Sequence, residues 1–395
     1  MKVLLMIYTK KLLLVIPLIA TSLLAQSFDS FLERAVEKSP LLKASHLQIE
    51  QTTEQGSALT RYENPNLELE ASYFNPDAVD GDFGFRAAYS QPVRLWGVGN
   101  NKESLANANV ALAQANYSET KASFVRDISL QYTTYAQNDL LQALAEEELA
   151  LASTIYDISK ERYDAGTISR GIMLQAQVDF KMLKARVQTL ALIRQRNYYD
   201  LLKNAGISDD VELETEYSFT QSGEHGQNPQ LLQLENRQKS AVANAEVNTN
   251  KVEWMSLVGE YEKEPDQDIF RFGASIPLAF FNTKSQEKRI ATLEASRSEM
   301  LTQNAQTQLE VELKRLAYES EALLNLQRLN NDILKSEEEL LSMYEDGYKI
   351  ANVNLLALQD AKRRLIETKE RLIRIKIELD RNAIIYNYLQ GTYND

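Results

Sequence analysis

The 395-residue chain carries 43 Lys and Arg against 56 Asp and Glu, a formal net charge of −13, with two histidines and no cysteine. Such an acidic chain is poorly suited to neutralising nucleic-acid phosphates, and without cysteine it has no disulfide, thiolate metal site or Cys nucleophile. Only 14 Gly and 8 Pro interrupt it, which leaves room for long helices.

The N-terminus reads as a signal peptide over residues 1–25. Lys2, Lys10 and Lys11 precede an apolar run from Leu12 to Leu24, too short to span a bilayer, which needs about 20 apolar residues. Ala25 is the expected last residue before cleavage; losing the three lysines takes the formal charge to −16. Beyond this segment no apolar run approaches a membrane-spanning length, so a membrane crossing would have to be made by strands.

Four segments read as strands. Leu67, Leu69, Ala71 and Tyr73 alternate with Glu68, Glu70 and Ser72; Phe83, Phe85, Ala87 and Tyr89 alternate with Gly84, Arg86, Ala88 and Ser90. Met255, Leu257, Gly259 and Tyr261 repeat the pattern, as do Phe270, Phe272, Ala274, Ile276 and Leu278. A period of two gives each strand one apolar and one polar face. Lengths near ten residues and aromatic ends suit tilted transmembrane strands, although a soluble hairpin packed on a helix uses the same alternation.

Between and after the strands the pattern is helical. From about Asn101 to Arg162, and again from Lys284 to Asp346, long Ala-, Leu-, Glu- and Gln-rich segments predict rods of roughly 90 Å at about 1.5 Å per residue. Each turns back, at Gly166 and at Gly347–Asn354, into a returning helix over about Ser169–Asn204 or Asn354–Tyr388. The last helix carries a heptad seam from Leu358 through Leu365, Leu372 and Leu379 to Tyr386. Glu146-Glu147-Glu148 and Glu337-Glu338-Glu339 read as solvated faces.

The chain is an internal duplication. Ser90-Gln91-Pro92-Val93 recurs as Ser275-Ile276-Pro277-Leu278, and Tyr163 recurs as Tyr348, both at a numbering offset of 185; Ala176, Lys184 and Arg186 meet Ala361, Lys369 and Arg371 at the same offset. Ser39-Pro40 faces Asn228-Pro229 at the larger offset of 189, so the first half is expected to have the longer hairpin loop. The organisation is a first repeat over 26–207, a polar linker over 208–227 and a second repeat over 228–391. Four strands cannot close a barrel, and open edges in lipid leave backbone groups unpaired, so a spanning chain must pool strands with copies of itself.

Chemistry is sparse. Neither His46 nor His225 sits in a catalytic or metal-binding pattern, Met173 and Met182 read as packing residues, and Gly97-Val98-Gly99 is too short to cradle phosphate. No enzyme activity, cofactor or metal site is expected.

With the duplication, the strand pairs closing at Gln91-Pro92 and Ile276-Pro277, and the Tyr163-x-x-Gly166 turn, the chain resembles the TolC-type outer-membrane efflux protein family over nearly its whole mature length. Asn64-Pro65-Asn66-Leu67 and Arg94-Leu95-Trp96-Gly97-Val98-Gly99 look closer to heavy-metal efflux members. The resemblance implies a mainly α fold of long antiparallel helical hairpins forming an α-barrel. It also implies four transmembrane strands per protomer in a trimeric 12-stranded β-barrel, an outer-membrane location and a long periplasmic portion. The implied partners are the homotrimer, outer-membrane lipid, a periplasmic adaptor and, through it, an inner-membrane RND-type pump. The implied adaptor-docking tips include Arg162, Tyr163, Gly166, Gly347 and Ala351. A family gate tyrosine falls on Tyr348 and a gate arginine on Val353; two constriction aspartates fall on Ala357 and Asp360. Three Asp360 carboxylates would make an acidic ring favouring cations. Protein secretion and drug efflux compete with metal efflux as the task of such a duct, and a periplasmic coiled-coil structural or adaptor protein is the reading from another class.

Overall fold

The computed structural model describes residues 26–74, 81–223, 226–350 and 352–393. The expected signal peptide, His225 and Ala351 lie outside the described residues, as does most of the connection between the first two strands.

Among the described residues, seven helices and four strands follow in the order α1 (Phe28–Lys38), α2 (Pro40–Thr60), β1 (Asn66–Phe74), β2 (Asp82–Arg94), α3 (Val98–Asp164), α4 (Arg170–Ala205), α5 (Pro229–Val247), β3 (Trp254–Lys263), β4 (Asp268–Ser275), α6 (Ser285–Lys349) and α7 (Leu355–Leu389). The offset of 185 carries α3 onto α6 and α4 onto α7 to within two residues at each end. The proline pair at offset 189 is a helix start in both halves. Ser39 accepts from the Leu42 amide and Asn228 from the Leu231 amide, with Pro40 and Pro229 in the first turn, where a missing N–H costs nothing. The first hairpin connection, between Phe74 and Asp82, is longer than the second, between Lys263 and Asp268, in line with the difference in offset.

The strands form one antiparallel sheet in the order β1-β2-β3-β4, with β2 and β3 joining the two repeats. Pairing Glu70 with Arg86, Arg86 with Glu262 and Glu260 with Arg271 puts the charges on one face. The other face is apolar and uncovered: Leu69, Phe83 and Phe272 are 71%, 72% and 87% exposed.

Below the sheet the helices stand in a row. Near the sheet it runs α2, α3, α5, α6; farther away it runs α4, α3, α7, α6. The 67 residues of α3 span about 100 Å at 1.5 Å per residue. At mid-height sits the main core, where Phe28 and Phe31 of α1 pack with Ile128 and Tyr132 of α3 and Leu201 and Leu202 of α4. Full burial of side chains of this size contributes about 1.5–3 kcal/mol each.

Residues 208–223 of the polar linker form a strap across this core. Gln26 bridges to Leu213, Tyr132 donates to the Glu214 carbonyl, and Tyr217 and Phe219 pack tilted and edge-on against Phe28. Beyond Phe219 the strap is gripped by α7. The Phe219 amide donates to Asp380 (3.0 Å) and the Ser222 amide to Asn387 (2.8 Å), while Asn387 returns a bond to the Thr220 carbonyl (2.9 Å). A second core at the far end joins Ile155, Ala176, Leu341 and Tyr348 with Leu355, Leu358, Ala361 and Leu365, so the heptad seam of α7 is buried there as its spacing predicts.

Candidate functional site

Three levels of the molecule bear on function. At the sheet, the polar face carries a chain of ion pairs across all four strands. Arg86 lies 2.6 Å from Glu70 and 3.1 Å from Glu260, and Arg271 binds both Glu260 and Glu262. The apolar face carries no charge between Leu67 and Tyr73 or between Phe83 and Tyr89. One face therefore suits water and the other hydrocarbon. No helix is long and apolar enough to cross a membrane among the described residues.

Between the main core and the tips a buried ionic knot ties the hairpins together. Lys362, 4% exposed, reaches Asp179 of α4 at 2.9 Å and Glu148 of α3 at 3.8 Å; Arg186 of α4 binds Glu148 at 3.0 Å and also Glu370 of α7. Burial pushes the Glu148 carboxyl upward, while Lys362 and Arg186 pull it back. The expectation that Glu146-Glu147-Glu148 is a solvated run fails at Glu148: α3 is flanked by α4 and α7, and its third glutamate points between them. Lys362 was hidden in the sequence because it sits beside the apolar seam position Ala361 and looks like an ordinary flanking charge.

At the helix tips the structure brings Arg162 and Tyr348 together. Tyr348 is 1% exposed. Its hydroxyl meets Ser159 Oγ at 2.8 Å, and because Ser159 already donates to the Ile155 carbonyl, the tyrosine is the donor. Arg162 donates to the Tyr348 carbonyl at 3.1 Å and lies 4.7 Å above its ring. This clasp joins the α3/α4 turn to the α6/α7 turn. Ser159 carries no motif; its one sequence cue is a small polar side chain on the buried stripe of Ile155. Gly166 closes the first turn with φ +72°, a conformation that favours glycine. In the second turn Gly347 lies against Val353, whose methyl a Cβ at 347 would meet at 2.5 Å. Val353 thus packs in the turn where the resemblance places an arginine. Tyr163 is partly exposed and stands apart from the clasp.

Asp360 is on the surface of α7, away from Tyr348. Its carboxylate is held by Arg363 and Arg364, each at 2.6 Å, and these guanidinium groups hold it below the usual carboxylate range. It lines a shallow cavity of about 480 Å³ with Gln175, Met182 and Gln359. Among the described residues no group of three His, Asp or Glu side chains could hold a metal ion.

Residues 31–206 match the family described as outer membrane efflux protein. No curated protein matches the chain in sequence. Among solved structures, the outer-membrane channel OprN covers 93% of this chain and 90% of its own at 15% identity and a TM-score of 0.77. The outer membrane protein VceC of Vibrio cholerae covers 92% and 95% at 14% identity and 0.77. The open-state outer membrane channel MtrE of Neisseria gonorrhoeae covers 91% and 88% at 16% identity and 0.71. At these identities the likeness is one of fold, and it spans both repeats.

Proposed function

We propose that this chain, whose first repeat carries the outer membrane efflux protein signature within a fold that matches solved outer-membrane channels over 93% of its length, is the exit duct of a tripartite efflux system. The protein is an outer-membrane efflux channel with a long helical periplasmic portion, and its role is conduction rather than catalysis.

One observation carries the ring. The sheet runs from β1 to β4 while the helical row runs from α2 and α4 to α6; α2 leads into β1 and β4 leads into α6. Sheet and helices therefore share the same two open edges. Edges of opposite kind on one chain join head to tail, and a closing rotation between copies makes them a ring. Two copies would give eight strands, a barrel filled by its own side chains; three give twelve strands around a water-filled lumen, with the charged face inward and Leu69, Phe83 and Phe272 toward lipid.

The turns at Arg162, Tyr163, Gly166 and Gly347 are then the far periplasmic end, where an adaptor docks and links the duct to an inner-membrane RND-type pump. Ala351 belongs to the same expected docking surface. The Tyr348 clasp is the closed-state fastening, and Asp360 is a pore position. Metal cations are the proposed cargo, on the strength of the Asn64-Pro65-Asn66-Leu67 and Arg94–Gly99 segments. The test is purification from outer membranes. Detergent-dependent solubility, a mass of three chains and conductance in planar bilayers are expected; a protein soluble without detergent that stays monomeric overturns the proposal. A deletion strain sensitised to metal salts but not to drugs would decide the cargo.

A further inference from the structure

The two open edges are also complementary in charge. Over the far half of the row, the edge helices are α4 and α6. α4 has seven Lys and Arg against two Asp and Glu, and α6 has thirteen acidic residues against eight basic. Both edges also carry apolar side chains that water should not reach. Leu192 and Tyr199 of α4 are 72% and 54% exposed, yet their counterparts in the second repeat, Ile377 and Ile384, are 1% and 0% exposed. On α6, Tyr318 and Leu329 are 74% and 60% exposed, and their counterparts Thr133 and Leu144 are buried in α3. The edge positions are thus those that the α3/α7 interface buries inside the chain.

We infer that α6 of one copy packs on α4 of the next in the arrangement that α3 and α7 adopt within the chain, and that ion pairs Glu319–Arg196 and Asp332–Lys184 set the register of that seam. The inference rests on the ring reading above and adds its residues. Inside the chain, α3 meets α7 through Glu147 and Lys369 at 2.5 Å and through Thr134 and Arg381 at 3.4 Å. Carrying each residue to its counterpart in the other repeat turns Glu147 into Asp332, Lys369 into Lys184, Thr134 into Glu319 and Arg381 into Arg196. The existing ion pair maps onto a second, and the arginine–threonine contact maps onto a pair of opposite charges. Among the described residues of the single chain, Lys184, Arg196 and Asp332 have no side-chain partner, and Glu319 has only Arg315 of its own helix. A basic edge facing an acidic one also disfavours like edges meeting, which would bring α4 against α4 or α6 against α6.

The chain has no cysteine, so Glu319→Cys with Arg196→Cys makes a clean cross-linking probe in the full-length protein. α4 and α6 lie at opposite edges of one copy, and an arginine-length contact separates the two backbones by more than a disulfide spans, so a short bis-maleimide reagent is expected to link copies, giving dimers and trimers on denaturing gels. The second probe is charge reversal. Glu319→Arg with Asp332→Lys is expected to cut the recovered trimer by roughly tenfold, in line with like charges meeting across an interface, and adding Arg196→Glu with Lys184→Asp is expected to restore it. Absence of inter-copy cross-links in a wild-type-like trimer overturns the seam, and so does a reversal that assembles normally. A wild-type chain that is itself monomeric overturns the ring reading along with it.

Discussion

Removing the clasp at the helix tips should open the channel. Tyr348→Phe deletes the hydroxyl that donates to Ser159 and leaves the ring packed. A neutral hydrogen bond contributes about 0.5–1.5 kcal/mol, and because Ser159 keeps its bond to Ile155 the loss belongs at the low end. Arg162→Ala removes more. It takes away a charge-assisted bond to the Tyr348 carbonyl, of about 1.5–3 kcal/mol, and a guanidinium over the ring, of about 0.5–1 kcal/mol. The arginine is half-buried, so partial solvent screening argues for roughly 1–2 kcal/mol in all. If three copies open together, the closed state loses about 3–6 kcal/mol, a shift of roughly two to four powers of ten in the closed-to-open ratio. Arg162→Ala is therefore expected to hold a high-conductance state in planar bilayers, with Tyr348→Phe intermediate, and to admit large hydrophilic antibiotics into cells. Closed-state conductance unchanged in an Arg162→Ala trimer of normal helicity would refute the reasoning.

Other expectations follow from the same geometry. Asp360→Ala removes a carboxylate, frees Arg364 and leaves Arg363 paired with Glu367 alone, so the reversal potential in a salt gradient should move toward anions; no movement would take Asp360 out of the pore. Phe272→Lys puts a charge on the apolar face of β4, at a cost of about 2–4 kcal/mol if it sits near the bilayer midplane, and is expected to lower the yield of membrane-assembled trimer, whereas Ser256→Lys on the polar face is not. Burial raises the Asp380 carboxyl above its ordinary value. A raised folded-state value contributes stability that is full below the unfolded-state value and is lost as pH rises through the folded-state one. Asp380→Asn keeps an acceptor for the Phe219 amide. Its melting temperature, relative to the wild type, is expected to climb as pH rises from about 4 to 7; a difference independent of pH would count against this.

Periodicity made much of this fold legible. Strand faces follow from alternation at Leu67–Tyr73 and Phe83–Tyr89, and the helix lengths follow from the scarcity of Gly and Pro. The constant offset at Pro92 and Tyr163 places both repeats. The strap was illegible because residues 208–223 bury few side chains of their own; their order comes from backbone groups captured by Asp380 and Asn387, which look like ordinary polar positions on α7. The clasp was half legible. Tyr348 and Arg162 each stood out through the resemblance, but their joining depends on Ser159 and on how two turns meet in space. The buried knot at Lys362 was invisible because a charge flanking a heptad seam is usually solvated, and only the flanking of α3 by both α4 and α7 encloses it.

The pairing of β2 with β3 sets the order of events in biogenesis. Arg86 and Glu262 are partners across that pair, so the sheet is completed only after most of the chain has been made and translocated. Either hairpin alone is a two-stranded ribbon, marginally stable in water. A nascent chain therefore has no early opportunity to enter the membrane by halves, and contacts this distant in sequence form slowly. During that interval the exposed phenylalanines and leucines of β1 and β2 are an aggregation hazard. In the proposed channel, the timing of sheet completion is thus set by the arrival of the second repeat rather than the first.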